Sequence, residues 1–261
     1  MSFTGKSPAG TYKDITYIDN SNSGVDSTVR QVKTGSGSST SLSVSDRSLK
    51  VKSSTDNTVA LDVQNSSGTS KLLVDTSNGI VKALGTHVNT QYAYYGISAE
   101  NSSGYTINVH HPIPFMTSET AHSGDITGFG TGTDPATTFT TADGAATDAS
   151  NIVPMLWFVP DSISIDSVTS IEGADASLGD QTRMHLFSYT FTSGSTSCLT
   201  AGTLLAHNSD VTNAGSEQAY LTTWTIDSAS VAANKVILAF FRSDSINSDY
   251  STNIIIKYHL T

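Results

Sequence analysis

Val236-Ile237-Leu238-Ala239-Phe240-Phe241 is apolar at every position. A strand with one face in water alternates apolar and polar residues, so this run predicts a strand covered on both faces. Past the polar interval from Arg242 to Thr252, Ile254-Ile255-Ile256-Lys257-Tyr258-His259-Leu260 opens as a second apolar run and passes into alternation. β-branching stiffens χ1 and packs well on a pleated surface, so three successive isoleucines predict strand rather than helix. Ile254, Ile256, Tyr258 and Leu260 then share one face, and Ile255, Lys257 and His259 share the other. In a chain otherwise so polar, symmetry mates are the expected cover for the second faces, with Ile255, Lys257 and His259 at the contact between subunits.

The same pattern extends back to Ile152. Met155 to Val159, Ile163 to Ile171, Met184 to Phe191, Leu204 to Ala206 and Tyr220 to Ile226 each read as strand. With Tyr92 to Ile97 and Tyr105 to Val109 they give about eight strands joined by turns, which predicts a jelly-roll-like antiparallel β-sandwich head over residues 87–261. Tyr92 and Tyr94 fall on one face of their strand and are expected at a subunit interface, with ring buried and hydroxyl satisfied, rather than as a platform for sugars. Residues 117–151 are weakly hydrophobic, carry Gly128-Phe129-Gly130-Thr131-Gly132, and read as a long exposed loop.

Residues 41–86 predict four or five shorter strands, each offering two or three apolar side chains between turn signals. Among these signals, Asn78-Gly79 is the dipeptide that accepts the two positive φ values of a type I′ hairpin. One copy of such a segment has almost no core. Stacking copies about an axis supplies one, so the segment is expected to be a stem within a homotrimer, a dimer being the alternative symmetry. Residues 1–40 read as an extended arm whose large apolar side chains, Tyr12, Ile15, Tyr17 and Ile18, dock on another body, and Gly35-Ser36-Gly37-Ser38-Ser39 as a flexible stretch. The fold expected is all-β throughout, without a helix of ten residues.

Composition narrows the function classes. The 261 residues are 37% hydrophobic and 14% charged, with Ser, Thr, Asn and Gly making up the difference, a composition of short strands and many turns. Lys and Arg number 13 against 23 Asp and Glu, a net charge of -10, whereas nucleic-acid binding needs a cationic footprint. No apolar run approaches the roughly 18 residues of a membrane span, and the start lacks the apolar segment of an ordinary secretion signal.

Candidate chemistry is sparse. Cys198 is one cysteine in a polar stretch and reads as a bystander thiol. His110 and His111 are neighbours on a strand and point to opposite faces, so they read as structural rather than as metal ligands. Neither the Walker spacing, G-x-G-x-x-G nor a G-x-S-x-G elbow is present. Asp161 with Asp166 and Glu172 with Asp175 are the acid pairs a glycan depolymerase would need, but they lie in turn-like sequence where acids cap and solvate. No catalytic residue, metal or cofactor is therefore expected.

The opening FTGKSPAGTYKDITYIDNSNSGVDSTVRQVKTGSGSSTSLSVSD, the stem-closing SGTSKLLVDTSNGIVKA and the HVNTQYAYYGISAENSSG entering the head resemble virion fibre or spike proteins of tailed bacteriophages, particularly those in marine viral sequences. The similarity covers the N-terminal hundred residues best. It implies a virion location, attachment to other virion proteins through the N-terminal arm, a trimeric stem, and a distal β head that contacts a host-surface glycan or decorates the particle. The short stem leaves room for a head fibre, collar or capsid decoration protein, and a cellular carbohydrate-binding module would share the sandwich and the tyrosines without needing arm or stem.

Overall fold

The computed structural model describes residues 13, 15–21, 23–101, 106–116, 128–141, 149–174, 178–245 and 249–261. The chain is nearly all β and divides into two compact units, Met1–Val88 and Asn89–Thr261.

The first unit holds two antiparallel meanders, each pairing its strands in chain order. Strands β1 (Thr16–Ile18), β2 (Arg30–Thr34), β3 (Ser39–Val44) and β4 (Leu49–Val51) form one, and β5 (Leu61–Gln64), β6 (Ser70–Asp75), β7 (Ile80–Ala83) and β8 (Thr86–His87) the other. Sequence placed the boundary between arm and stem at 40/41. That boundary falls inside β3, because the apolar alternation at Val32 belongs to a strand paired with Ser39 and its neighbours. The stretch at 35–39 read as flexible is the β2–β3 hairpin turn, in which the Thr34 amide donates to Ser38 O and the Gly37 amide to Thr34 O, both at 2.8 Å.

The Asn78-Gly79 hairpin also differs from its expectation. Only Gly79 has positive φ, at 69°, so the connection is a four-residue turn rather than a type I′ pair. The cause is Asp75, whose carboxylate accepts from the Asn78 amide at 3.0 Å and from Asn78 Nδ2 at 2.7 Å, fixing Asn78 in an Asx-type turn. The β5–β6 turn repeats the device, with Asn65 Oδ1 accepting from the Ser67 and Thr69 amides and Gly68 at φ 79°. Local side-chain bonds thus hold these strands in register, but no described apolar side chain of this unit is buried: Leu49, Val59 and Val63 are 67%, 53% and 48% exposed.

The second unit contains β9 (Thr90–Asn101), β10 (His111–Ile113), a helical turn (Ala149–Ile152) running into a 3-10 turn (Val153–Met155), β11 (Trp157–Val159), β12 (Ile163–Ala174), β13 (Gln181–Phe191), β14 (Leu199–His207), β15 (Val211–Thr212), β16 (Gln218–Thr223), β17 (Thr225–Ile226), β18 (Ser230–Val231), β19 (Lys235–Ser243) and β20 (Asp249–Leu260). One sheet runs β10-β19-β13-β14-β17, with β11 continuing the β10 edge of β19 and β15 pairing β13; the other runs β16-β12-β20-β9, with β18 pairing β12. Their facing side chains form one core, including Tyr95, Val168, Leu186, Trp224, Ile237, Ala239, Ile254 and Ile256, which makes the unit sandwich-like.

The continuous run in β19 has both faces covered by its own chain. Ile237, Ala239 and Phe241 enter the core between the sheets. Val236, Leu238 and Phe240 enter a second cluster with Phe129, Phe139, Ile152 and Met155. This corrects two expectations: residues 128–141 are not simply exposed loop, and no symmetry mate is needed over β19. Phe129 and Phe139 stack at 4.6 Å between centroids, and Phe129 lies 4.7 Å from Phe240. Backbone bonds hold the strap down, with the Phe139 amide donating to Leu199 O and the Gly202 amide to Thr137 O, both at 2.9 Å. Tyr189 Oη donates to Ala136 O at 2.7 Å. Residues 117–127 and 142–148 of that predicted loop lie outside the described residues.

Candidate functional site

The predicted interface residues lie together on the outer face of the second sheet. In β20, alternation sends Ile254 and Ile256 into the core and leaves Ile255, Lys257 and His259 outward and half-buried. Register then brings in β9, since Ile255 pairs with Tyr94 and Lys257 with Tyr92. Tyr92 is 54% and Tyr94 42% exposed, so in the single chain their rings are not buried as a subunit interface would make them. On the other side Asn253 pairs with Ile171, which pairs with Leu221. The face therefore presents exposed Tyr92, Tyr94, Ile171 and Leu221 around half-buried Ile255, an aromatic and aliphatic surface with one ammonium.

His259 is fixed by a bulge. The β12–β20 register shifts between Ile165 and Ser167, so Ile163 and Ile165 point inward before it and Val168 and Ser170 after it. The extra residue, Asp166, meets His259 Nδ1 at 2.9 Å. A carboxylate only accepts, so the imidazole donates.

The predicted attachment residues occupy the edge of the first meander. Ile15 is exposed just before β1, while Tyr17 and Ile18 are within it, Tyr17 exposed and paired in register with Lys33. Tyr12 lies outside the described residues.

A second site lies in the head on the other sheet. His185 in β13 and His207 in β14 are direct cross-strand partners, with ring centroids 6.5 Å apart and planes 30° from parallel. They line an open cleft of about 320 Å³ together with Asp134, Arg183, Leu204 and Asp210. Asp134 Oδ1 is 3.7 Å from His185 Nε2. Asp227 Oδ2 is 2.7 Å from His207 Nδ1. Arg183 Nη2 donates to Asp210 Oδ2 at 2.7 Å within a two-point pair that holds the aspartate below the usual carboxylate range.

No protein-family model matches the chain, and no curated protein does.

His110 and His111 have separate backbone partners. His110 Nδ1 lies 3.1 Å from Gly130 O and therefore donates to it, while His111 Nε2 is 3.2 Å from the Thr106 amide. His110 also packs edge-on to His185, centroids 5.1 Å apart. Burial pushes His110 down to about 4 and His185 down to about 3, so both rings are neutral near pH 7. Cys198 is buried, which raises its thiol pKa and keeps it protonated.

Glu172 departs from its turn-like reading. It lies on β12 and is 6% exposed. Its Oε1 accepts from Ser170 Oγ at 2.6 Å, and Ser170 in turn accepts from Trp224 Nε1 at 2.8 Å. Burial raises its pKa against the opposing pull of its hydrogen bonds. Its suggested partner Asp175 lies outside the described residues. Asp166, proposed with Asp161, is committed to His259.

Sequence reasoning missed the His185–His207 pair and its carboxylates. Twenty-two positions separate the two histidines, and nothing short of the strand register brings them opposite each other.

Proposed function

We propose that the protein is a virion structural protein of the tailed-bacteriophage fibre or spike type. In this reading it assembles as a short homotrimer, attaches to other virion proteins through its N-terminal segment, and presents a jelly-roll-like head to a host-surface glycan. One observation carries it: the described apolar side chains of Met1–Val88 all remain at least partly exposed, although the strands are regular and their turns well bonded. Ordering a residue costs about 1–2 kcal/mol of backbone entropy, which apolar burial has to offset. Copies arranged about an axis supply that burial, since each narrow stripe then packs against its neighbours'. In the head, Tyr92, Tyr94 and Ile255 supply an apolar surface suited to the same assembly.

Sedimentation equilibrium of the full chain at micromolar concentration should return three times the chain mass of 27.4 kDa. A stable monomer there would overturn the proposal. Ile255→Asp should weaken the assembly while leaving the sandwich folded, because its side chain faces away from the core. An assembly untouched by that substitution would move the interface off this face.

A further inference from the structure

We propose that His185, His207 and Asp134 form a binding site for a divalent transition-metal ion of the zinc class. The inference is independent of the virion reading.

Three observations carry it. The first is the cross-strand placement of the histidines. Directly paired residues on antiparallel strands have Cβ atoms roughly 4.5–5.5 Å apart on one face, so two imidazoles at such positions stand side by side over the sheet. An ion bonded to nitrogens at about 2.0–2.1 Å requires these rings, now 6.5 Å apart, to move closer. The gap would have to close through His207, the more exposed ring, whose side chain is 37% exposed against 3% for His185, pivoting on its bond to Asp227.

The second is the partner of His207. A carboxylate only accepts, so Nδ1 carries the hydrogen shared with Asp227 at 2.7 Å, and Nε2 is the nitrogen left to ligate. A histidine ligand whose other nitrogen donates to a carboxylate is held in the correct tautomer and made more basic. Asp227 thus occupies the supporting position for a ligating His207.

The third is the third donor. Asp134 comes from the strap at 128–141 and sits 3.7 Å from His185 Nε2 with its side chain 64% exposed. It adds a carboxylate donor beside the two imidazoles. Arg183 lines the same cleft, but its charge is balanced by Asp210. Two histidines and one carboxylate leave a position on the ion open to the cleft, as in sites that take water or a ligand oxygen in the fourth place. A bound ion would also tie the strap to β13 and β14.

The test is calorimetric titration of the tag-free full chain with Zn²⁺ and, separately, Ni²⁺. We expect saturable binding of one ion per chain, accompanied by a rise in the thermal midpoint. Asp227→Asn should weaken the affinity about 10–100-fold through lost support of the ligand. His207→Gln should abolish saturable binding while circular dichroism stays unchanged, and His259→Gln should leave it intact. Absence of saturable binding at about 100 μM metal, binding that survives His207→Gln, or binding lost in His259→Gln would each overturn the proposal.

Discussion

The two units use the same grammar of short antiparallel strands and polar turns, yet they dispose of their apolar side chains in opposite ways. In Asn89–Thr261 the central strand β19 is covered on both faces, by the facing sheet on one and by the strap at 128–141 on the other. In Met1–Val88 no described strand has even one fully covered face. Hydrogen-bonded register and a packed core are therefore separable, and in the trimer we propose other copies supply the burial that the first unit lacks.

The largest test of that contrast is a pair of truncations. Phe240 is fully buried, 4.7 Å from Phe129 and 6.4 Å from Tyr189. Phe240→Ala should cost about 3–5 kcal/mol by the lost transfer energy and the cavity left behind. Both tryptophans, Trp157 and Trp224, lie in this unit, so denaturation followed by their fluorescence reports it alone. Val63→Ala should cost roughly 0.5 kcal/mol in the isolated chain, because the side chain is already 48% exposed. Its cost should grow with protein concentration as copies cover it. Equal costs at high dilution would erase the difference between the units.

A smaller effect, since one proton is at stake, sharpens the contrast in buried polar chemistry. Glu172 has a folded-state pKa above its ordinary 4.5, chiefly through burial. The folded head then holds this proton more tightly than the unfolded chain does. Its contribution to stability is full below the unfolded value and is lost as pH rises through the folded one. Denaturation midpoints measured from pH 4.5 upward should show that decline, and Glu172→Gln should flatten it. A variant with an unchanged pH profile would mean that the carboxyl is not desolvated.

What the sequence made legible follows from which interactions are local. Alternation along Ile254 to Leu260 divided β20 correctly, with Ile254 and Ile256 inside and Ile255, Lys257 and His259 outside. The run from Val236 to Phe241 correctly required two covered faces, but its cover was unreadable: Phe129 and Phe139 are isolated aromatics in a Gly-, Thr- and Ala-rich segment without period, about a hundred residues away. Glu172 was obscured by the bulge at Asp166, which shifts the phase of β12 by one residue and turns the acid inward. The His185–His207 pair depends on register between β13 and β14, which no spacing in the chain encodes.

Two glycine positions separate the units by cause. Gly202 lies in β14 where a Cβ would meet Tyr189 Cε1 at 2.7 Å and Thr137 Cα at 2.9 Å. Gly202→Ala should therefore cost about 1–3 kcal/mol by forcing the strap away from the sheet. Gly79 has open space around it but φ of 69°, so Gly79→Ala should cost about 1 kcal/mol for conformation alone. Asparagine tolerates that left-handed conformation, so Gly79→Asn should recover most of the loss, whereas Gly202→Asn should be worse than Gly202→Ala. Amide exchange across Ser70–Asp75 and Ile80–Ala83 reads the first pair, and tryptophan fluorescence the second. If Asn failed to rescue position 79, space rather than backbone conformation would limit that turn. The first unit would then be more closely packed than its exposed side chains indicate.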